Sequence, residues 1–197
     1  MKKSSNNLLR KAKKNKMDEF YTQLIDIERE LKNYKSHFKD KVVYCNCDDP
    51  LISNFYKYFV ENFSELGLKK VIASSYVDYQ NNLFNYDNDH RETGYYYEYS
   101  GKKNEKKYPA LSDLIHFEGN GDFRNKESIS LLKKADIVVT NPPFSLFREY
   151  VSQLIEYNKQ FLIIGNINSI TYKDIFSLIK NNQAWLGINY GRGISGF

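Results

Sequence analysis

Apolar residues recur along the chain with two spacings, one typical of helices and the other of buried strands. Between Phe20 and Phe38, six apolar residues follow one another at steps of three and four, which predicts an amphipathic helix. The apolar run 42–45 predicts a buried strand. Asp48-Asp49-Pro50 then has an acidic cap and a proline, which predicts the start of a helix that ends near Gly67.

The same order of strand and helix continues through the rest of the chain. Strands that alternate with helices of this length indicate an α/β fold, a largely parallel sheet with helices on both faces. Ligands of such sheets bind outside the carboxyl ends of the strands. Residues 78–93, rich in Asn and Asp, predict a surface loop. Further strands are predicted at 70–74, 94–100, 107–117, 136–140, 161–165 and 185–188, and further helices at 126–134, 145–157 and 172–180.

Asn141, Pro142, Pro143 and Phe144 follow directly after the predicted strand 136–140. The prolines hold the backbone extended and donate no hydrogen bond, which leaves carbonyl oxygens to point into a cleft. The asparagine offers a donor and an acceptor, and the phenylalanine a flat stacking surface. An exocyclic amine needs acceptors for its two protons and a surface that holds its ring. The tetrapeptide therefore predicts a site for such an amine; a rigid strand-to-helix turn is the alternative.

Positive charge is concentrated at one end of the chain. The formal net charge is +5, yet residues 1–17 hold seven basic side chains and no acid, which leaves 22 basic against 24 acidic side chains elsewhere. Such an arm suits phosphate contacts, although a solvated tail has the same composition. The basic residues are Lys2, Lys3, Arg10, Lys11, Lys13, Lys14 and Lys16, of which we expect Lys11, Lys13, Lys14 and Lys16 to bind DNA.

Several classes of protein are disfavoured by the composition. No apolar run approaches the 18 or so residues of a membrane span, and the basic N-terminus lacks the apolar core of a secretory signal. Cys45 and Cys47 supply too few ligands for a closed zinc site and predict two buried thiols in a reducing compartment. The histidines show no metal spacing. We therefore expect a cytoplasmic protein without metal or membrane partner.

Six segments together give the chain a resemblance to the EcoRI-type adenine-specific DNA methyltransferases. This resemblance implies a Rossmann-like fold, S-adenosyl-L-methionine as cofactor, and methylation of adenine N6 in double-stranded DNA within a restriction-modification system. Asn141, Pro142, Pro143 and Phe144 would then form the catalytic site. The segments are 18–23, 44–50, 121–124, 140–145, 161–164 and 191–193.

Cofactor-binding residues are implied by the same resemblance. The family position ahead of the first strand, which holds the methionine part, corresponds to Tyr21 and Thr22. The loop after that strand corresponds to Asn46, Cys47 and Asp48, where this chain lacks the common Gly-x-Gly. In the family, an acid accepts a hydrogen bond from the cofactor's adenine amino group and an aromatic ring packs on the base; the matching residues are Asp122 and Phe123. For the ribose hydroxyls the sequence offers only Asp78.

Members of this family continue well beyond position 197, into the region that reads the target sequence. We therefore expect a basic arm at 1–17 and a catalytic domain at 18–197 from which the target-recognition region is absent, with a separate recognition polypeptide as a possible partner. Two alternatives stay open at this point. The chain is a truncated, non-catalytic fragment that binds DNA or cofactor, or it methylates a protein glutamine.

Overall fold

Six strands form one sheet in the order β4-β3-β2-β1-β5-β6 in the computed structural model, which describes residues 22–77 and 93–189. The central strand β1 pairs in parallel with β2 and β5, and β5 pairs in parallel with β6. Only β3 runs against the others, because it is antiparallel to both β2 and β4. The strands are β1 Val42–Cys45, β2 Lys70–Ser74, β3 Tyr95–Tyr99, β4 Ile115–His116, β5 Ile137–Thr140 and β6 Gln160–Ile163.

Helices cover both faces of this sheet, which confirms the predicted α/β class. Successive side chains of a strand point to opposite faces. Val43 accordingly packs with the side chains of α1 and α2 on one face, while Tyr44 packs with those of α3 and α4 on the other. Helix α5 packs against α4 and against side chains of β6. The helices are α1 Leu24–Leu31, α2 Asn54–Glu61, α3 Lys126–Lys134, α4 Phe147–Glu156 and α5 Lys173–Lys180.

The first two helices differ from the predicted ones at their boundaries. The predicted stripe ending at Phe38 forms α1 and then a 3-10 helix, Lys32–His37. Helix α2 begins after Ser53 rather than at 48–50, because the Ser53 hydroxyl accepts hydrogen bonds from the first helical amides. The residues before it form a turn in which the Asp49 carboxylate accepts a hydrogen bond from the amide of residue 51. This turn forms the loop after β1.

Two predicted strands are wrong in part or in whole. The segment 107–117 contributes only the two residues of β4. The apolar run 185–188 forms no strand: Trp185 is 72% exposed, and the Ile188 amide donates to the Glu30 carboxylate instead of to a neighbouring strand. Three apolar residues within four positions satisfied the strand pattern, but no strand of the described sheet pairs with them.

The strand order creates a crevice between β1 and β5. From β1 the chain passes through α2 to β2 on one side, whereas β5 lies on the other side of β1 and follows α3 on the opposite face. Loops that leave the carboxyl ends of two such strands diverge to opposite faces, and ligands bind between them. The loop after β1 and the tetrapeptide after β5 both lie at this point.

Candidate active site

The loop after β1 is joined to the end of β5 by one hydroxyl group. Val43 and Tyr44 of β1 stand opposite the first residues of β5, so the two strands end side by side. The Thr140 hydroxyl, at the end of β5, lies within hydrogen-bonding distance of the Asn46 carbonyl and the Asp48 carboxylate. The sheet therefore brings the predicted cofactor loop into contact with the predicted catalytic motif.

The tetrapeptide itself forms a bend that leads into α4. Pro142 is buried, whereas Asn141, Pro143 and Phe144 retain partial exposure. The Pro143 carbonyl accepts a hydrogen bond from the Leu146 amide at 3.0 Å, which closes the 3-10 helix Phe144–Leu146. The backbone amide of Asn141 donates to the Asp48 carboxylate. The motif is thus held from both ends, by a turn on one side and by the loop after β1 on the other.

A cavity of about 140 Å³ opens beside Phe144, between the carboxyl ends of β5 and β6. A wider groove of about 590 Å³ is also lined by Phe144, and Tyr172 borders both spaces. Sequence reasoning did not single out the cavity's other residues, although several follow the predicted strand 161–165 and so lie at the expected sheet edge. The cavity is lined by Phe144, Phe147, Asn166, Asn168, Ser169 and Tyr172.

The Asp48 carboxyl group occupies an unusual environment. It accepts hydrogen bonds from the hydroxyls of Thr140 and Ser53, the latter at 2.8 Å, and from the Asn141 amide. Burial raises the pKa of Asp48 to about 7, with a further increase from Asp49, although these three hydrogen bonds act in the opposite direction. Asp48 therefore changes its charge near neutral pH.

Cys47 occupies the position at which the common Gly-x-Gly is missing. Its φ of 68° lies in the left-handed region that glycine adopts without steric cost. Burial raises the pKa of its thiol, and the neighbouring Asp48 and Asp122 raise it further, which keeps the thiol protonated. Cys45 is fully buried, but Cys47 is only partly so, which corrects the prediction of two buried thiols. Cys47 is thus close enough to both candidate cofactor carboxylates for their charges to act on its thiol.

Asn46 belongs to the framework of the crevice. Its side chain is 1% exposed, and its Oδ1 accepts a hydrogen bond from the Ser74 hydroxyl at 3.3 Å. That hydroxyl is itself paired with the Tyr44 hydroxyl at 2.8 Å. These contacts connect the end of β1 to the end of β2. The side chain of Asn46 therefore helps to fix the position of the loop after β1.

The predicted adenine-binding pair, Asp122 and Phe123, lies in a loop that crosses the end of β2. Gly121 permits this crossing, because a Cβ there would stand 2.2 Å from the Ser75 carbonyl oxygen. The side chain of Asp122 is bonded to Arg124. The ring of Phe123 is 3% exposed and packs edge-on against Tyr150, with centroids 5.0 Å apart. The carboxylate therefore borders the crevice, while the aromatic ring lies in the core beneath it.

Thr22 is also placed near the crevice. Its carbonyl accepts a hydrogen bond from the side chain of Asn54, the first residue of α2, at 2.8 Å. Tyr21, Asp78 and the basic residues Lys11, Lys13, Lys14 and Lys16 lie outside the described residues. Within 22–77 and 93–189, no cluster of three His, Cys, Asp or Glu side chains could hold a metal ion. No helix of these two ranges is long and apolar enough to cross a membrane.

A doubly wound sheet with Asn-Pro-Pro-Phe at the end of a central strand defines a class, the methyltransferases that act on amino groups. The chain belongs to the family of the adenine-specific methyltransferase EcoRI, whose family model matches residues 8–197. This match confirms the resemblance that the sequence motifs indicated.

Three curated proteins are similar in sequence to this chain. The Type II methyltransferase M.EcoRI of Escherichia coli is 59% identical over 194 residues, which are 98% of this chain and 59% of that protein. M.MgeORF184P of Mycoplasma genitalium is 40% identical, over 94% of this chain and 52% of its own length. M.MpnI of Mycoplasma pneumoniae is 41% identical, over 90% of this chain and 49% of its own length. The chain thus spans about half the length of these relatives. No solved structure matches it.

Proposed function

We propose that this chain transfers a methyl group from S-adenosyl-L-methionine to N6 of adenine in double-stranded DNA, as the catalytic part of a restriction-modification methyltransferase. One observation supports this proposal above all. The motif that begins at Asn141 stands at the carboxyl end of β5, where Thr140 and the Asn141 amide are hydrogen-bonded to Asp48 of the loop after β1. A methyl donor bound at that loop and an amine bound at the motif would be neighbours.

The residues around the crevice fit the proposed cofactor. Asp122 offers an ionised acceptor for the adenine amino group, since its hydrogen bonds with Arg124 lower the pKa of the carboxyl. The left-handed backbone at Cys47 turns the loop where glycine commonly lets a ligand approach closely. Thr22 and Asp48 both contact the start of α2, next to this loop. When bound, S-adenosylmethionine supplies an electrophilic methyl group on a sulfonium.

The residues of the motif have distinct roles in this proposal. The target base must leave the duplex, at a cost of a few kcal/mol, to reach the crevice. The Asn141 side-chain oxygen and the Pro142 carbonyl accept the two amine protons; the Pro143 carbonyl already serves the turn. These two acceptors would direct the amine lone pair out of the plane of the base. A bound cofactor would supply its methyl group to that lone pair with loss of the S–C bond, and N6 would give up one proton to solvent. Phe144 stacks on the base, which stabilises it by about 1–3 kcal/mol.

The aromatic and amide side chains of the cavity beside Phe144 suit a flipped base, because they combine flat apolar surfaces with hydrogen-bonding groups. We place the target adenine there. Double-stranded DNA is the proposed partner, with the basic arm on its phosphates, and we expect the protein to act in the cytoplasm. A separate target-recognition polypeptide is a further partner in this proposal.

A methyl-transfer assay tests the proposed function. The 197-residue chain is incubated with radiolabelled S-adenosylmethionine and either mixed-sequence duplex DNA or a glutamine-containing protein extract. Label recovered from digested DNA as N6-methyladenine supports the proposal. Label recovered on glutamine, or binding of DNA and cofactor without transfer to either substrate, contradicts it and favours a protein methyltransferase or a non-catalytic fragment respectively.

A further inference from the structure

The Asp48 carboxyl group contacts three separate elements of the crevice. Its Oδ1 accepts from the Ser53 hydroxyl, which caps α2, at 2.8 Å. Its Oδ2 meets the Thr140 hydroxyl at the end of β5. The backbone amide of Asn141 donates to the same carboxyl group. A single side chain therefore connects the start of α2, the end of β5 and the first residue of the catalytic motif.

The direction of the hydrogen bonds at Thr140 depends on whether Asp48 is protonated. A threonine hydroxyl has one proton, but two oxygens, the Asn46 carbonyl and Asp48 Oδ2, lie within hydrogen-bonding distance. A protonated Asp48 donates to Thr140, which then donates to Asn46, and every group is satisfied. An ionised Asp48 has to share the one hydroxyl proton with Asn46. The charge of Asp48 thus sets the arrangement of hydrogen bonds next to Asn141.

We propose that Asp48 is a positioning residue for methyl transfer, which acts through Thr140 and the Asn141 backbone to fix the target-amine site relative to the cofactor loop. This inference rests on the proposed function. Asp48 lies one residue after Cys47, whose backbone turns the loop. A cofactor that contacts this loop therefore also affects the position of Asn141, although it does not contact Asn141 itself.

Variants at Thr140 test this role while leaving the cofactor loop's own residues unchanged. Thr140→Val removes the hydroxyl with little change in shape, and Thr140→Ser restores it. We expect Thr140→Val to lower the single-turnover transfer rate at saturating S-adenosylmethionine by at least about tenfold. Cofactor affinity should change little, and Thr140→Ser should recover most of the rate. A Thr140→Val chain that transfers at the wild-type rate overturns the proposal.

A double-mutant cycle separates positioning from cofactor binding. If Asp48 acts through Thr140, then Asp48→Ala combined with Thr140→Val should lose little more rate than the worse single variant. If Asp48 serves only to bind cofactor, saturating cofactor restores Asp48→Ala by itself to the wild-type rate. If the two residues affect the rate independently, the two losses multiply in the double variant. Either result overturns the proposal.

A spectroscopic readout keeps this inference distinct from the proposed function. The amide resonance of Asn141 in the 15N-labelled chain should shift with an inflection near pH 7, the pKa of Asp48, and Asp48→Asn should abolish the inflection. Asp49, Cys45, Cys47 and Tyr150 also face Asp48, and burial raises the pKa of both thiols and of the tyrosine far above neutrality. An inflection that persists in Asp48→Asn, or a wild-type resonance that does not move, overturns the inference. A chain that passes this test but transfers no methyl refutes the proposed function alone.

Discussion

Arg124 holds Asp122 through two parallel hydrogen bonds, from Nε to Oδ1 at 2.9 Å and from Nη2 to Oδ2 at 2.7 Å. The Arg124 backbone amide adds a third at 2.9 Å. These hydrogen bonds lower the pKa of Asp122, although partial burial acts in the opposite direction. The carboxylate is therefore ionised at neutral pH and fixed in orientation, as an acceptor for an amino group requires.

From this geometry we expect Asp122→Ala to weaken S-adenosylmethionine binding about tenfold or more, because a charged acceptor contributes roughly 1.5–3 kcal/mol. Titration calorimetry without DNA measures the effect. Asp113→Ala is a matched control, since Asp113 is also paired with a basic side chain, Lys106, but lies outside the crevice. If the Asp122 variant and the wild type bind with equal affinity, the adenine of the cofactor binds at another site.

Asn141→Ala should remove methyl transfer while cofactor binding survives. The motivation is that Asn141 faces the proposed target base, and loss of one hydrogen-bonding group at a reacting centre costs about a hundredfold or more in rate. Single-turnover transfer is measured beside cofactor affinity. Asn33→Ala, an exposed asparagine in the 3-10 helix before β1, controls for the loss of a side-chain amide. Transfer at a near wild-type rate in the Asn141 variant would refute the assignment of the base site.

Cys47 provides a prediction about stability. Because its φ is 68°, Cys47→Gly should be more stable than Cys47→Ala by about 1 kcal/mol, the cost of a left-handed backbone for a residue with a Cβ. Denaturant titration gives the two free energies of unfolding. Cys45 lies in the extended strand β1, where the order should reverse and Cys45→Gly should be the less stable variant. The same order at both positions would argue against a left-handed backbone at Cys47.

Deletion of residues 1–17 should weaken nonspecific DNA binding at low salt. Each phosphate contact contributes roughly −0.9 to the slope of log affinity against log salt, so loss of the arm should flatten that slope by several units. Cofactor binding should be little changed, because the crevice lies at the carboxyl ends of the strands, in the folded domain.

Lys102→Gln combined with Lys103→Gln is the matched control for the arm. Strand β3 ends at Tyr99, which pairs with Val71 near the start of β2. These lysines therefore follow β3 at the amino-terminal end of the parallel strands, whereas Asn141 lies at their carboxyl-terminal end. They should contribute little to the slope. An arm-deleted chain with the slope of the intact one would instead assign DNA binding to a patch on the folded domain.

The sequence by itself determined the fold class and the position of the Asn-Pro-Pro-Phe motif at the end of a strand. Helical and strand periodicities depend on neighbouring residues, and the prolines at 142 and 143 restrict the backbone locally wherever the chain goes. The predicted helix 126–134 therefore matches α3, and the predicted strand 136–140 differs from β5 by a single residue. The family match confirms the resemblance read from six short segments.

Only the tertiary structure decided which of these segments meet. Thr140 and Asp48 are 92 positions apart, and their contact depends on β5 lying beside β1, which no local pattern specifies. Trp185 and its neighbours show the converse, since an apolar run becomes a strand only where a partner strand offers backbone hydrogen bonds. The cavity beside Phe144 likewise required the loop after β6 to fold over the loop after β5. Local sequence sets the elements, whereas long-range pairing places the side chains that would perform the chemistry.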